Sequence, residues 1–148
     1  HNTVNSIMKK FHQGEYKLIN PQKYAGKRNP KYRSGWELTF MRMCDNHPAV
    51  LSWASEPVRI PYRHPFTGQY THYVPDFIMV YKNKGGTKIA ELVEIKPKSQ
   101  TILEKARSSK DKSVIILNRA KWLAAGEWAK RKGMRFRVLN EDSIYAIK

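Results

Sequence analysis

The first strong pattern along the chain is a helical one that begins at Ser34. Ser34 and Glu37 have the spacing of a capping box, in which two side chains accept hydrogen bonds from free amides of the first turn. The helix should end near Asp45–Asn46, because Pro48 disfavours helical geometry in the residue before it. Apolar residues recur between these ends at helical spacing and predict a buried stripe of Trp36, Phe40, Met43 and Cys44.

Segments rich in aromatic and β-branched residues follow this helix and predict strands. A turn is expected at residues 65–68, and the Lys84-Gly85-Gly86 sequence is a second turn signal. The predicted strands cover residues 50–54, 58–62, 70–82 and 88–96.

The pattern becomes helical again over residues 101–132, where we expect two helical pieces split around residues 108–113. Gly133 is a suitable residue to end the second piece. A strand at 134–139 and a short terminal strand at 143–147 complete the prediction. The order of elements predicts an α/β fold in which helices flank a mixed β-sheet. The stripe of the second helical piece consists of Val114, Leu117, Lys121, Ala124, Ala125 and Trp128.

Glycine, proline and basic residues interrupt the pattern over residues 1–33, which we interpret as a basic N-terminal arm before a single domain at 34–148. The arm interleaves tyrosines with basic residues, a composition that suits a phosphate backbone and exposed bases. An equally open interpretation is that its tyrosines pack on the domain. The residues concerned are Lys23, Tyr24, Lys27, Arg28, Lys31, Tyr32 and Arg33.

Charge restricts the class of partner. The 148 residues include 28 Lys plus Arg against 12 Asp plus Glu, a net charge of +16, which favours a polyanion such as nucleic acid. No apolar run approaches the roughly 20 residues of a membrane span, so we expect no membrane partner. Cys44 is the only cysteine and the five histidines lack metal-ligand spacing, which argues against a zinc site. Gly85-Gly86 lacks the residues of a phosphate-binding loop, so no nucleotide cofactor is expected.

Acidic residues are scarce, and two of them lie in predicted strands beside a lysine. If a five-residue loop joins these strands, Lys82 pairs with Lys88 and Asp76 lies opposite Glu94. A four-residue loop would instead place Asp76 on the wrong face. Two facing carboxylates suit Mg²⁺, and Lys96, two residues after Glu94, shares its face.

These residues resemble the signature of the PD-(D/E)xK nuclease superfamily. Pro75-Asp76 and Glu94-Ile95-Lys96 match its two-part motif, and Glu37 matches the acidic residue of the first helix. The order of Tyr32–Glu37, a proline-rich strand pair, Pro-Asp-Phe and then Glu-Ile-Lys-Pro resembles more narrowly the TnsA-type endonuclease branch, and within it the head completion nucleases of T4-like tailed phages. The resemblance extends from about Asn20 to the end of the chain and implies a restriction-endonuclease-like core.

The resemblance implies that Asp76, Glu94 and Glu37 hold Mg²⁺, for which Mn²⁺ would substitute, and that Lys96 is the catalytic lysine. Gln100 lies where some members have an auxiliary polar residue. Each assignment has a structural alternative: Glu37 completes the capping box, Asp76 bonds a backbone amide, and Glu94 and Lys96 form a solvent-facing pair. Candidate DNA contacts are Lys27, Arg28, Lys31, Arg33 and Lys98.

The function expected from these observations is a Mg²⁺-dependent DNA endonuclease of phage head completion, working in the cytoplasm of a bacterial host or on the virion. Its expected partners are DNA and phage portal or neck proteins. Two alternatives stay open at this point. One is a structural DNA-binding or capsid-associated module with a nuclease fold. The other is a branched-DNA resolvase or transposon-end nuclease.

Overall fold

A computed structural model of the protein describes residues 13–145. The expected α/β architecture is present, with a mixed four-stranded sheet between helices. Three short 3-10 turns lie at Pro21–Lys23, Lys98–Gln100 and Leu103–Lys105. The helices are α1 (Gly35–Asn46), α2 (Ser109–Arg131) and α3 (Glu141–Tyr145). The strands are β1 (Gly14–Glu15), β2 (Lys31–Tyr32), β3 (Val50–Ser55), β4 (Ile60–Arg63), β5 (Tyr70–Tyr73), β6 (Phe77–Lys82), β7 (Lys88–Ile95) and β8 (Arg135–Leu139).

The central sheet has the order β3-β6-β7-β8. The first three strands are antiparallel neighbours: a short loop joins β6 to β7, whereas the β4–β5 hairpin lies between β3 and β6 in the chain. The strand β8 lies parallel to β7 because α2 carries the chain back across the sheet. The pairs β1–β2 and β4–β5 form separate two-stranded sheets. This arrangement fits a restriction-endonuclease-like nuclease domain, as predicted.

Each face of the central sheet covers its own hydrophobic core. Phe40 and Met41 of α1 pack with Phe77 and Val93 on one face. On the other face, the β4–β5 pair and α2 pack around Leu92. Val93 and Leu92 point to opposite sides because side chains alternate along a strand. The strand β7 is therefore buried on both faces, and any charged side chain near its end is partly shielded from water.

The structure corrects the prediction of one long strand over residues 70–82. The segment is divided into β5 and β6, which belong to different sheets. Pro75 lies in the break and is fully buried. It has no amide hydrogen for a sheet ladder, so the chain leaves the β4–β5 pair here and enters the central sheet one residue after Asp76.

The C-terminal half requires two further corrections. The split predicted around residues 108–113 is instead the start of one continuous helix, because the Ser108 side chain caps α2 by accepting from the Asp111 amide at 3.0 Å. Residues 101–107 contain only a 3-10 turn. The terminal segment is the helix α3 rather than a strand, and Asn140 accepts from the Asp142 amide at its start. Gly133, at φ +71°, ends α2 as expected.

Residues 13–33 lie against the domain, which favours the packing interpretation of the arm's tyrosines. Tyr16 is buried, and the Tyr24 ring meets Trp53 edge-on with centroids 4.8 Å apart. Asp45 fixes the segment by accepting from the Tyr16 hydroxyl at 2.7 Å and the Ile19 amide at 2.8 Å. The sequence also predicts a short helix around residues 4–12, and this segment lies outside the described residues. Within residues 13–145, no helix is both long enough and apolar enough to cross a bilayer.

Candidate active site

The β6–β7 hairpin sets the position of the candidate site. Lys82 pairs with Lys88 and Phe77 with Val93, so the five-residue loop and the register expected from the sequence are confirmed. Asn83 stabilises this loop because its side-chain oxygen accepts from the amides at Gly85 and Thr87, both at 3.0 Å. Asp76 lies one residue before β6, and the same register extended by one pair places it opposite Glu94.

Asp76 and Glu94 are held together by the backbone of the two strands. The Asp76 amide donates to Glu94 Oε1 at 3.1 Å, and the Ile95 amide donates to Asp76 Oδ2 at 2.8 Å. The two carboxylates therefore occupy one site, as the hairpin predicts. The bond from the Ile95 amide corresponds to the structural alternative in which Asp76 only bonds a backbone amide. The structure contains this bond together with the approach of the two acids.

The electrostatics of this pair are unfavourable without a cation. Burial and the neighbouring Glu94 charge raise the pKa of Asp76 to about 7. Burial also raises the pKa of Glu94, against the opposing effect of the Lys96 ammonium. Two shielded carboxyl groups that both resist ionisation form a site that a positive charge would stabilise.

Lys96 directly follows β7, two residues after Glu94. Its amide donates to the Leu139 carbonyl at 2.9 Å, which ties this end of β7 to β8. The side chain is half-buried, and its positive charge partly offsets the rise in the pKa values of Asp76 and Glu94. The solvent-facing pair considered for Glu94 and Lys96 is not what the structure contains, because Glu94 is buried.

Glu37 reaches the same site from the first turn of α1. The Ser34 hydroxyl accepts from the Glu37 amide at 3.1 Å, so the predicted cap is confirmed. The reciprocal bond differs from a standard capping box, because Glu37 Oε1 accepts from the Arg33 amide at 3.2 Å. Burial and the Asp76 charge raise the pKa of Glu37. Glu37 thus serves the helix start and also contributes negative potential to the site.

Arg33 and Glu56 form a salt bridge beside these acids. Arg33 was a predicted DNA contact, whereas Glu56 was not predicted. The Arg33 guanidinium contacts Glu56 Oε1 at 2.9 Å, and the Glu56 amide donates to the Asp76 carbonyl at 2.8 Å. Glu56 has φ +47°, a left-handed conformation that is uncommon outside glycine. The role of Glu56 was missed because no residue type at that position signals such a turn.

Lys121 of α2 lies on the other side of the site, next to Tyr73. Its ammonium is 5.9 Å from the centroid of the Tyr73 ring. Burial and the like charge of Lys96 lower the pKa of Lys121, while Glu94 opposes the shift. The Tyr73 hydroxyl is buried without a hydrogen-bond partner among the described residues, and burial and Glu94 raise its pKa. The sequence signal for Lys121 was its position within the otherwise apolar stripe of α2.

The remaining predicted residues do not join the carboxylates. Lys98 is paired with Asp142, and its amide donates to Glu141 at 2.8 Å. Gln100 lines a cavity of about 780 Å³ with Lys105 and other residues beyond β7. Among residues 13–145, no hydrogen bond links the Gln100 side chain to the acids. Three predicted DNA contacts lie exposed on the N-terminal segment, namely Lys27, Arg28 and Lys31.

The donor set fits a hard divalent cation. Asp76 and Glu94 supply carboxylate oxygens at one point, and their raised pKa values are what an ion there would reverse. Across the described part of the chain, no three His, Cys, Asp or Glu side chains cluster closely enough to hold an ion by themselves. The ligand role of Glu37 therefore stays a prediction. Mg²⁺ commonly uses one or two carboxylates and completes its shell with water and phosphate.

Comparison with known proteins agrees with this geometry. A family model described as "TnsA-like endonuclease N terminal" matches residues 47–141, a span that contains Asp76, Glu94 and Lys96 but not Glu37. The chain is also 32% identical over 149 residues to the "Head completion nuclease" of Enterobacteria phage T4, which covers 92% of this chain and 95% of that protein. The chain therefore belongs to the family of TnsA-like endonucleases.

Proposed function

We propose that the protein is a Mg²⁺-dependent endonuclease that hydrolyses phosphodiester bonds in DNA at the site formed by Asp76, Glu94 and Lys96. The observation that carries the proposal is the convergence of two pKa-raised carboxylates, through the hairpin register, beside a lysine that directly follows β7. The net charge of +16 supports DNA as the substrate, because neutralised phosphates supply most of the sequence-independent affinity.

Asp76 and Glu94 would hold the divalent ion. Bound there, Mg²⁺ would neutralise charge at the scissile phosphate and lower the pKa of an attacking water. Hydrolysis would transfer the hydroxyl of a water molecule to phosphorus and break one P–O ester bond, with a proton taken up by the leaving oxygen. Lys96 would contribute by stabilising the negative charge that develops on the phosphate oxygens.

Lys121 and Arg33 would assist by binding rather than by chemistry. Lys121 extends the positive potential of Lys96 across the site, and Arg33 flanks the acids from the start of α1. A DNA strand lying between them would have its backbone phosphates close to both cations. Such contacts position the substrate without reading its sequence.

The biological setting follows from the T4 relative. We propose that this chain, like a protein named for head completion, acts on DNA during the completion of phage heads. For that setting we propose the cytoplasm of a bacterial host, or the virion, as the location, and portal or neck proteins as further partners. A role as a purely structural capsid module predicts DNA binding without cleavage, which the following experiment distinguishes.

The test is plasmid nicking by purified protein with Mg²⁺ varied from zero, in the presence of chelator, to millimolar. Wild-type protein should nick only when the metal is present. Glu94→Gln should lower the rate by roughly 10²–10³-fold, because the substitution removes one charged ligand from a preorganised electrostatic site. Mn²⁺ should restore nicking in chelated wild-type protein.

Glu91→Gln is the matched control. Glu91 is also buried on β7, but its carboxylate contacts Arg137 at 3.2 Å and accepts from the Tyr81 hydroxyl at 2.9 Å, away from Asp76. This variant should keep wild-type nicking after correction for its folded fraction. Metal-independent nicking by the wild type, or full activity of Glu94→Gln, would contradict the proposal.

A further inference from the structure

The β4–β5 hairpin has two unlike faces. Ile60 and Tyr62 of β4 and Tyr73 of β5 are buried against the core that includes α2. The alternating partners point the other way, and the register places Arg63 directly opposite Tyr70. Both of these residues are exposed to solvent. One face therefore attaches the hairpin to the domain while the other is presented outward.

The outward face is positively charged without any compensating acid. Residues 58–74 contain no Asp or Glu. They include exposed Arg59, Arg63 and His72, so the face is complementary to a polyanion. Such a segment is notable because the hairpin leads straight into the acidic site.

Two aromatic side chains extend from this basic surface. Tyr70 is 79% exposed and Phe66, at the tip, is 56% exposed. Cross-strand partners such as Arg63 and Tyr70 have Cβ atoms about 4.5–5.5 Å apart. A cation beside an open aromatic face is the combination with which proteins bind the phosphate and the base of a nucleotide.

The tip of the hairpin is already ordered for contact. The His64 amide donates to the Gln69 carbonyl, and the Gly68 amide donates to the His64 carbonyl, both at 2.8 Å. Arg63 Nε donates to the Gly68 carbonyl at 2.9 Å, and Gly68 takes φ +72° in this turn. Phe66 therefore projects from a fixed loop, which reduces the entropy lost when a ligand binds.

The hairpin is also close to the candidate active site. Tyr70 precedes Asp76 by six residues in the sequence, and strand geometry of about 3.3 Å per residue limits their separation to roughly 20 Å. Tyr73 of the inner face lies beside Lys121 at the site itself. A DNA segment that occupies the site can therefore reach the outer face of the hairpin.

We propose that the outer face of the β4–β5 hairpin binds unpaired bases of DNA next to the cleavage site. Tyr70 and Phe66 stack on bases, and Arg59 and Arg63 contact the phosphates between them. Paired bases inside a duplex have no free face to offer an exposed aromatic side chain, whereas frayed ends, forks and branches do. The inference rests on the proposed nuclease function and adds to it a preference for DNA that contains an unpaired segment.

The test measures binding in the Glu94→Gln background, without divalent metal, so that cleavage plays no part. Fluorescence anisotropy compares a fully paired duplex with a fork of the same paired length and two unpaired arms. The parent should prefer the fork. Tyr70→Ala and Phe66→Ala should each weaken fork binding about tenfold and leave duplex binding unchanged, whereas Tyr70→Trp should retain the preference.

Leu123→Ala is the matched control, because Leu123 is 68% exposed on α2 and carries no role here. It should bind both DNAs like the parent. Equal affinity of the parent for fork and duplex, unchanged fork binding in both alanine variants, or an equal loss on both DNAs would overturn the inference. Failure of the nuclease proposal would show separately, as absent nicking by wild-type protein.

Discussion

Asp45 and Asp76 are both shielded carboxylates at the ends of secondary-structure elements, yet their pKa values move in opposite directions. Burial raises the pKa of Asp45, but hydrogen bonds from Ile19, Tyr16 and Asn20 outweigh it and hold the pKa below its ordinary value. At Asp76, burial and the charge of Glu94 outweigh the single bond from Ile95. The difference lies in the neighbours, since the fold surrounds Asp45 with donors and Asp76 with acids.

This difference is the one expected between a structural carboxylate and a functional one. Asp45 is satisfied within the chain, because two backbone amides and a hydroxyl already stabilise its negative charge. Asp76 faces Glu94 and lies near Glu37, so its ionised form lacks a counter-charge of sufficient strength. A protein gains no stability from such an arrangement, and perturbed acids of this kind are concentrated at functional sites.

The largest expected effect is that of Asp76→Asn on catalysis. The amide keeps an acceptor for the Ile95 amide but removes the charge, so we expect nicking to fall by roughly 10²–10³-fold. The free energy of unfolding without metal should stay equal or rise, since repulsion from Glu94 is relieved. Nicking rates and urea denaturation measure the two quantities. A strongly destabilised Asp76→Asn would place this residue with Asp45 among the structural carboxylates.

Asp45→Asn should show the reverse pattern. An asparagine amide would place a donor among groups that already donate, and buried hydrogen bonds to a charged group contribute about 1.5–3 kcal/mol. We expect a loss of about 2–3 kcal/mol in the free energy of unfolding, seen as a lower urea midpoint with an unchanged slope. Nicking per folded molecule should match the wild type. A selective loss of activity would show that the segment fixed by Asp45 serves the site directly.

The sequence was sufficient for the part of the site that depends on strand periodicity. Turn residues at 83–87 left loops of four and five residues open; the five-residue loop is present, and alternation then brings Asp76 to Glu94. It was insufficient where one residue is compatible with two local structures. Ser108 was interpreted as part of a helix interruption although it caps α2, and Pro75 was kept within a strand that it divides. The stripe of α2 marked Lys121 as facing inward, but the approach of Lys121 and of Glu56 to the site depends on tertiary structure, which local pattern does not encode.

The two aspartates should also respond oppositely to pH. For Asp76, a folded pKa of about 7 exceeds the unfolded value near 3.9, so the folded state binds more protons between these values and stability falls as pH rises through them. Asp45 has a lowered folded pKa, so its contribution is present above the unfolded value and is lost as pH falls through the folded one.

Unfolding free energies in chelator between pH 4.5 and 7.5 check this sign. Asp76→Asn should make the decline of stability toward pH 7.5 shallower than in the wild type, whereas Asp45→Asn should leave that slope unchanged. Comparing each variant with the wild type removes the contribution of the histidines. Identical slopes in Asp76→Asn and the wild type would mean that the acidic site is ionised without cost.

The smallest expected effects concern the start of α1, where one residue combines the two behaviours. Ser34→Ala removes the hydroxyl that accepts from the Glu37 amide and should cost about 1 kcal/mol of stability. Glu37→Gln keeps an acceptor for the Arg33 amide and removes only the charge, so its stability should change by less than that.

If Glu37 serves the site, nicking by Glu37→Gln should fall about tenfold or more while Ser34→Ala retains it. Melting temperature and nicking rate, measured on both variants, separate the roles. Nicking at the wild-type rate by Glu37→Gln would assign Glu37 to the helix start alone. The comparison is direct because both substitutions lie at the start of α1, and one removes the Ser34 hydroxyl while the other removes the Glu37 charge.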